Sequence, residues 1–285
     1  FSSGEIIGFV GPNGAGKTTT MRMMATLDEP TYGDIYFDGC SAIEEPERVR
    51  EVMGYVPDSL PGHRDMSVHD YLDFFARAYG VHGEQRRKVV EEIEEFTNLR
   101  GIREKYVNDL SKGMGQRVCL ARALIHDPKV LIMDEPASGL DPRARVELRE
   151  LLKVLSGQGK AILISSHILS ELAEICTGSV IIERGKLLRA GTLADITKAE
   201  GNHRRAIIRP LSDYETVYKA LLEMPGITAA KQLGNEIQIE IEGGEDVGAD
   251  ILAELIKRGY RLAEFRQRPH DLEALFMNVT KGDVQ

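Results

Sequence analysis

Short apolar runs recur through the first two-thirds of the chain, each followed by a stretch of helical period. Residues 5–10, Val130–Met133 and residues 161–164 are runs of four to six residues, mostly apolar and rich in Val, Ile or Leu, and predict buried strands. Residues 19–25, 68–79, 85–96 and a segment running to about His126 predict helices. Such alternation predicts a largely parallel sheet with crossover helices. Near Gly201 the pattern changes. Residues 205–209 predict a strand, and 214–223 a helix with Leu221 and Leu222 on its apolar side. Ile227–Leu233 and Glu236–Glu242 predict strands joined at Gly234-Asn235, a turn dipeptide. The second of these alternates strictly, Glu-Ile-Gln-Ile-Glu-Ile-Glu, so one face is buried and the other wet. A helix over 247–257, a strand over 261–266 and a closing helix over 272–279 complete the series.

The later block therefore runs βαββαβ plus α, a ferredoxin-like order. Two domains are expected, residues 1–201 and 202–285. The 285-residue length agrees with two, at roughly 150 residues per domain. Hydrophobic residues at 42% and charged residues at 28% exclude a disordered chain. No apolar run approaches the ~20 residues of a membrane span, and the opening residues do not read as a signal peptide. A net charge of −9 argues against a nucleic-acid partner or broad attraction to anionic lipid. Residues 202–285 carry 11 basic and 14 acidic side chains, so neither domain is a basic module. Cys40, Cys119 and Cys176 lie far apart, which predicts three buried free thiols rather than a metal site or disulfide framework.

The strand at 5–10 runs directly into Gly11-Pro12-Asn13-Gly14-Ala15-Gly16-Lys17-Thr18, followed by Thr19 and the helix. This is G-x-x-x-x-G-K-[ST] in its strand–loop–helix setting. The glycines let backbone N–H groups turn inward around phosphate oxygens, and the helix N-terminus adds its dipole. Lys17 supplies charge to the β- and γ-phosphates of a nucleotide such as ATP, and Thr18 offers its hydroxyl to Mg²⁺. The strand Val130–Met133 ends in Asp134 and Glu135. A buried parallel strand delivers its C-terminal end to the ligand crevice, where Asp134 can hold Mg²⁺ and Glu135 can orient or deprotonate water. An apolar strand ending in two carboxylates is by itself an ordinary solvated strand end; the neighbouring phosphate loop gives it meaning.

Asp109-Leu110-Ser111-Lys112-Gly113-Met114-Gly115-Gln116-Arg117 opens the helix that runs to about His126. It resembles the signature motif of ATP-binding-cassette (ABC) ATPases, in the form Ser-Lys-Gly-Met rather than Ser-Gly-Gly-Gln. Pro136-Ala137-Ser138-Gly139-Leu140-Asp141 is similar to the family's D-loop, and Ser165-Ser166-His167 to its switch-histidine segment. Five motifs in family order cover about residues 1–200. The resemblance implies a P-loop NTPase fold of the ABC ATPase type, α/β with an inserted helical subdomain. It implies ATP hydrolysis with Mg²⁺, with Glu135, His167 and Lys17 catalytic. Ser111 and Gly113 would face nucleotide held by a second copy, and Asp141 would cross to that copy's site, in a head-to-tail dimer closed by ATP. It also implies a polytopic membrane permease as partner, and a cytoplasmic chain peripheral to the inner face of the cell membrane.

Two departures accompany the resemblance. Asp58 stands where the family usually has Gln, after Val56-Pro57; as an oxygen donor it is expected to keep a place on the metal. The family's adenine-stacking aromatic belongs to an earlier strand, and this chain opens with Phe1 only ten residues before Gly11. A front strand is expected to precede it, and ATP binding to be weaker without it. The signature form and the Asp271–Thr280 ending resemble ATPase subunits of bacterial and archaeal exporters of drugs, lipids, polysaccharides or ions. The aromatic helix over 68–79, with Tyr71, Phe74 and Phe75, serves either as core or as a permease-docking surface. A soluble cassette acting on ribosomes or DNA would pair two cassettes or carry a coiled coil and a basic surface. A small-molecule kinase would share the phosphate loop but have no need of Ser111 or Asp141.

Overall fold

The structure, a computed structural model, describes residues 1–60, 65–166, 172–192, 203–211 and 214–269. It divides into two compact units, one formed by Phe1–Ala190 and the other by Gly191–Lys281.

In the first unit the elements run β1 (Ile6–Val10), α1 (Lys17–Met24), β2 (Tyr36–Phe37), β3 (Cys40–Ser41), α2 (Pro46–Val52), β4 (Met53–Val56), α3 (Val68–Ala78), α4 (Gly83–Phe96), α5 (Lys112–Leu124), β5 (Val130–Met133), α6 (Pro142–Gly157), β6 (Ala161–Ser165), β7 (Gly178–Glu183) and β8 (Lys186–Thr192). The main sheet has the order β4-β5-β6-β1-β7-β8. β4 through β7 pair in parallel, as the apolar runs predict. Strand β5 is buried on both faces, with Leu131, Ile132 and Met133 all wholly covered, which is why Val-Leu-Ile-Met carries no alternation. Its register sets Met133 beside both Val56 and Ile164, so three strands end together and hand their next residues to one crevice. Gly54 is a close-approach position: a Cβ there would lie 2.6 Å from the Ala123 carbonyl of α5.

Helices α3, α4 and α5 form the expected inserted helical layer, packing Tyr71, Leu72, Val90 and Val118 into one core. Ser67 caps α3 by accepting from the Asp70 N–H at 3.1 Å. The aromatic helix is divided: Tyr71 is wholly buried, whereas Phe74 is half-exposed. Glu94 of α4 is fully buried and meets Nδ1 of His69 on α3 at 2.7 Å and Nε of Arg103 at 3.6 Å. Cys119 and Cys176 are buried, and burial pushes both thiols up to about 12. Cys40, at the start of a two-residue edge hairpin, is only partly covered, so the expectation of three buried thiols holds for two.

The second unit runs β9 (His203–Pro210), α7 (Tyr214–Leu222), β10 (Ile227–Leu233), β11 (Glu236–Glu242), α8 (Glu245–Lys257) and β12 (Leu262–Pro269). Its antiparallel sheet has the order β10-β11-β9-β12. The alternating strand buries Ile237, Ile239 and Ile241 against Val217 and Leu221 of α7 and Ile251 and Leu255 of α8. β9 and β12 run longer than the sequence pattern suggests, because their ladder continues to pair Pro269 with Arg204. The predicted helix over 272–279 lies outside the described residues. Among the described residues, no helix is long and apolar enough to cross a membrane.

Candidate active site

β1 ends at Val10 and the chain turns through Gly11–Gly16 into α1. Gly11 admits no side chain, since a Cβ would lie 2.5 Å from the Ile182 carbonyl of β7. Gly16 takes φ 100°, a left-handed conformation that suits glycine, and this lets α1 begin at Lys17, two residues earlier than the sequence pattern suggests. No side chain caps α1, so its first-turn N–H groups remain available to an anion. The loop is braced from behind, where the Gly185 N–H donates to the Ala15 carbonyl at 2.9 Å.

Lys17 is only 7% exposed. Its ammonium donates to the carbonyls of Gly11 at 2.8 Å and Pro12 at 3.2 Å and stands 3.9 Å from Oε1 of Glu135. A cavity of about 450 Å³ opens above the loop, lined by Asn13, Gly14, Gly16, Lys17, Thr18, Thr19, Asp58, Glu135 and Ser138. Loop, β4 end and β5 end therefore converge on one space. Asp134 lies one residue behind Glu135 and is 2% exposed. Its backbone N–H donates to the Val56 carbonyl at 2.9 Å, which ties the two strand ends together.

Ser165, at the end of β6, organises the two carboxylate residues. Its hydroxyl donates to Oδ1 of Asp134 at 2.8 Å and accepts from the Glu135 N–H at 2.8 Å. Glu135 itself takes φ 48°, the left-handed region uncommon for a side-chain-bearing residue. Burial and the Asp134 charge push the Tyr55 hydroxyl up to about 12, so it stays a neutral phenol beside the site. Ser165 and Ser138 are additions to the residues marked from sequence. The β5–β6 register accounts for Ser165, since pairing Met133 with Ile164 sets Ser165 beside Asp134.

Three predicted residues lie away from this cavity. Ser111 caps α5, accepting from the Met114 N–H at 3.4 Å, and is exposed. Gly113 faces Leu140 and Ala144, where a Cβ would find 3.6 and 3.7 Å contacts. Asp141 caps α6 by accepting from the Ala144 N–H at 3.0 Å. His167 lies outside the described residues.

A glycine loop at the end of a parallel strand, a buried lysine and a paired Asp-Glu at the neighbouring strand end define a P-loop nucleotide-hydrolysing protein. Comparison with known proteins narrows the class. The family model described as ABC transporter matches residues 1–138. The chain is 36% identical over 198 residues to the ABC transporter ATP-binding protein NatA of Bacillus subtilis, covering 69% of this chain and 80% of that protein. It is 33% identical over 291 aligned positions to the Nod factor export ATP-binding protein I of Cupriavidus metallidurans, covering 99% of this chain and 90% of that one. Among solved structures, a dimeric ATP-binding cassette in a post-hydrolysis state with ADP and Pi matches at TM-score 0.61 and 26% identity, covering 67% of this chain and 86% of that chain. The chain belongs to the ATP-binding proteins of the ABC transporter family.

Proposed function

We propose that this chain is the ATP-hydrolysing subunit of an exporter, acting as a homodimer closed by ATP and driving a separate polytopic permease from the cytoplasmic face of the membrane. The observation that carries the hydrolytic reading is the convergence of Lys17, Thr18, Asp58 and Glu135 on one cavity, with Asp134 and Ser165 directly behind. Export is supported by relatives whose names are Nod factor export ATP-binding protein and linearmycin resistance ATP-binding protein.

The loop N–H groups from Gly14 to Thr19 hold the phosphates, and Lys17 carries the charge that grows on the β–γ bridge and γ-oxygens. Glu135 accepts a proton from the water that attacks the γ-phosphorus as the bond to ADP breaks. The donor set suits Mg²⁺, a hard cation: the Thr18 hydroxyl and the Asp58 carboxylate line the cavity and Asp134 stands behind it. Thr18, Asp134 and Asp58 would hold the ion, which neutralises phosphate charge when bound. Ser111, Gly113 and Asp141 serve the second copy's nucleotide, which accords with their position outside their own chain's cavity. The family resemblance assigns His167 to the γ-phosphate. The second domain, which we assign to residues 202–285, is ferredoxin-like, a reading supported by its element and sheet order.

The test is co-expression with any polytopic membrane protein that a neighbouring reading frame encodes. Co-purification, together with ATPase activity that rises with protein concentration and requires Ser111, is expected. Recovery with ribosomes, or activity indifferent to Ser111, would overturn the reading.

A further inference from the structure

Two departures from the family pattern meet in space. Asp58 stands in place of Gln, and Lys112 in place of the first Gly of Ser-Gly-Gly-Gln. Nζ of Lys112 lies 3.7 Å from Oδ1 of Asp58. An exposed ion pair usually contributes little, because a long side chain must be fixed to make it. Here the lysine stem is already confined. It passes over Gly139, where a Cβ would lie 3.1 Å from both Cδ and Nζ of Lys112, and Gly139 takes φ 68°. Lys112, its side chain 47% exposed, thus reaches across the turn that carries Ser138 and Asp141 to the Asp58 segment.

Two more residues of α5 hold the chain just before Asp58. Gln116, 4% exposed, donates from Nε2 to the Pro57 carbonyl at 3.3 Å. Arg122 donates to the Tyr55 carbonyl at 3.3 Å. Helix α5 is therefore tied to the chain between Tyr55 and Asp58 at three points along its length, and of the three the ionic one is Lys112–Asp58.

We propose that Lys112 is a positioning residue that competes with Mg²⁺ for Asp58. The ammonium draws the carboxylate toward α5 and opposes the approach of a second cation. Loading the metal end of the cavity in turn loosens Lys112 at the start of the signature helix. By reciprocity the two events share one coupling energy. The proposal rests on Asp58 being a metal ligand, as set out under the proposed function.

The test is the Mg²⁺ concentration that half-maximally tightens ATP binding, measured by calorimetry on the full chain. Lys112→Met should lower that midpoint by about two- to fivefold, the range an exposed ion pair supports. Lys112→Arg should leave it near wild type, and Asp58→Asn should raise it. Adding Lys112→Met to Asp58→Asn should then change nothing further. An unchanged midpoint in Lys112→Met, with Asp58→Asn raised, overturns the competition and leaves the metal assignment standing. An unchanged midpoint in Asp58→Asn overturns both. An equal shift by Lys112→Met in both backgrounds shows a general charge effect and overturns the role through Asp58.

Discussion

Ser165→Ala probes the joint on which the hydrolytic geometry depends. The wild-type hydroxyl is fully buried and makes two bonds, one to the Asp134 carboxylate and one from the Glu135 N–H, both at 2.8 Å. Alanine removes one oxygen, so the cavity left is small and the cost is mainly polar. A hydrogen bond to a charged group contributes about 1.5–3 kcal/mol and a neutral one about 0.5–1.5 kcal/mol. The expected loss is therefore about 2–4 kcal/mol. Native-state hydrogen exchange read at the amides of β5 and β6 reports it locally, free of the second unit. Function should suffer differently from affinity. The phosphate loop is untouched, so ATP binding should stay within about threefold, whereas Glu135 loses the bond that fixes its left-handed backbone. A shift of about 1 Å in a catalytic group can lower turnover by up to about 100-fold. A loss under about 0.5 kcal/mol together with unchanged turnover would refute the role given to Ser165, since surface-like tolerance has that size.

Glu135→Gln should lower phosphate release by about 10²–10⁴-fold while ATP remains bound, because only the proton acceptor is removed; retained turnover would exclude it as the base. Glu94→Ala should destabilise the helical layer by about 2–3 kcal/mol in thermal unfolding, less than a wholly buried pair, because Arg103 and His69 can turn to water. Burial raises the Cys119 and Cys176 thiols to about 12, so both stay protonated through pH 7–9. A disulfide-exchange reagent at pH 8 should therefore modify Cys40 alone in the native chain and all three after unfolding.

The phosphate loop and the Val130–Met133 strand were legible because each is a local pattern whose physics lies within a few residues. The alternating strand at 236–242 was legible for the same reason. What sequence could not supply was pairing. Ser165 looks like any strand-end serine until β6 is set beside β5 in register. Lys112 and Asp58 lie 54 positions apart, and their contact follows from α5 crossing β4, which no local pattern encodes. Cys40 departs from the burial its residue type favours because a two-residue edge strand offers little to cover it. Helix α1 starts earlier than its pattern suggests because a left-handed Gly16 supports a helix start with no capping side chain, a geometry that residue type alone does not announce.

Lys17 and Glu135 face their own chain's cavity, whereas Ser111 stands exposed at the start of α5 and is not among that cavity's walls. The cavity is itself wet, with Thr18 and Thr19 exposed, and phosphoryl transfer gains from excluding bulk water. A second copy that brings its α5 start over the nucleotide would supply both the cover and the missing anion site, and two-fold symmetry would make two such composites. Complementation follows. A chain carrying Glu135→Gln and a chain carrying Ser111→Glu should each be inactive as homodimers. Mixed, half the dimers contain one of each. In these, one composite site is doubly damaged and the other combines an intact Glu135 with an intact Ser111. Mixing equal amounts should therefore restore about one quarter of wild-type ATPase activity. If each site were built within one chain, both variants would stay inactive in any mixture, and the absence of recovery from folded, co-purifying chains would refute the composite arrangement.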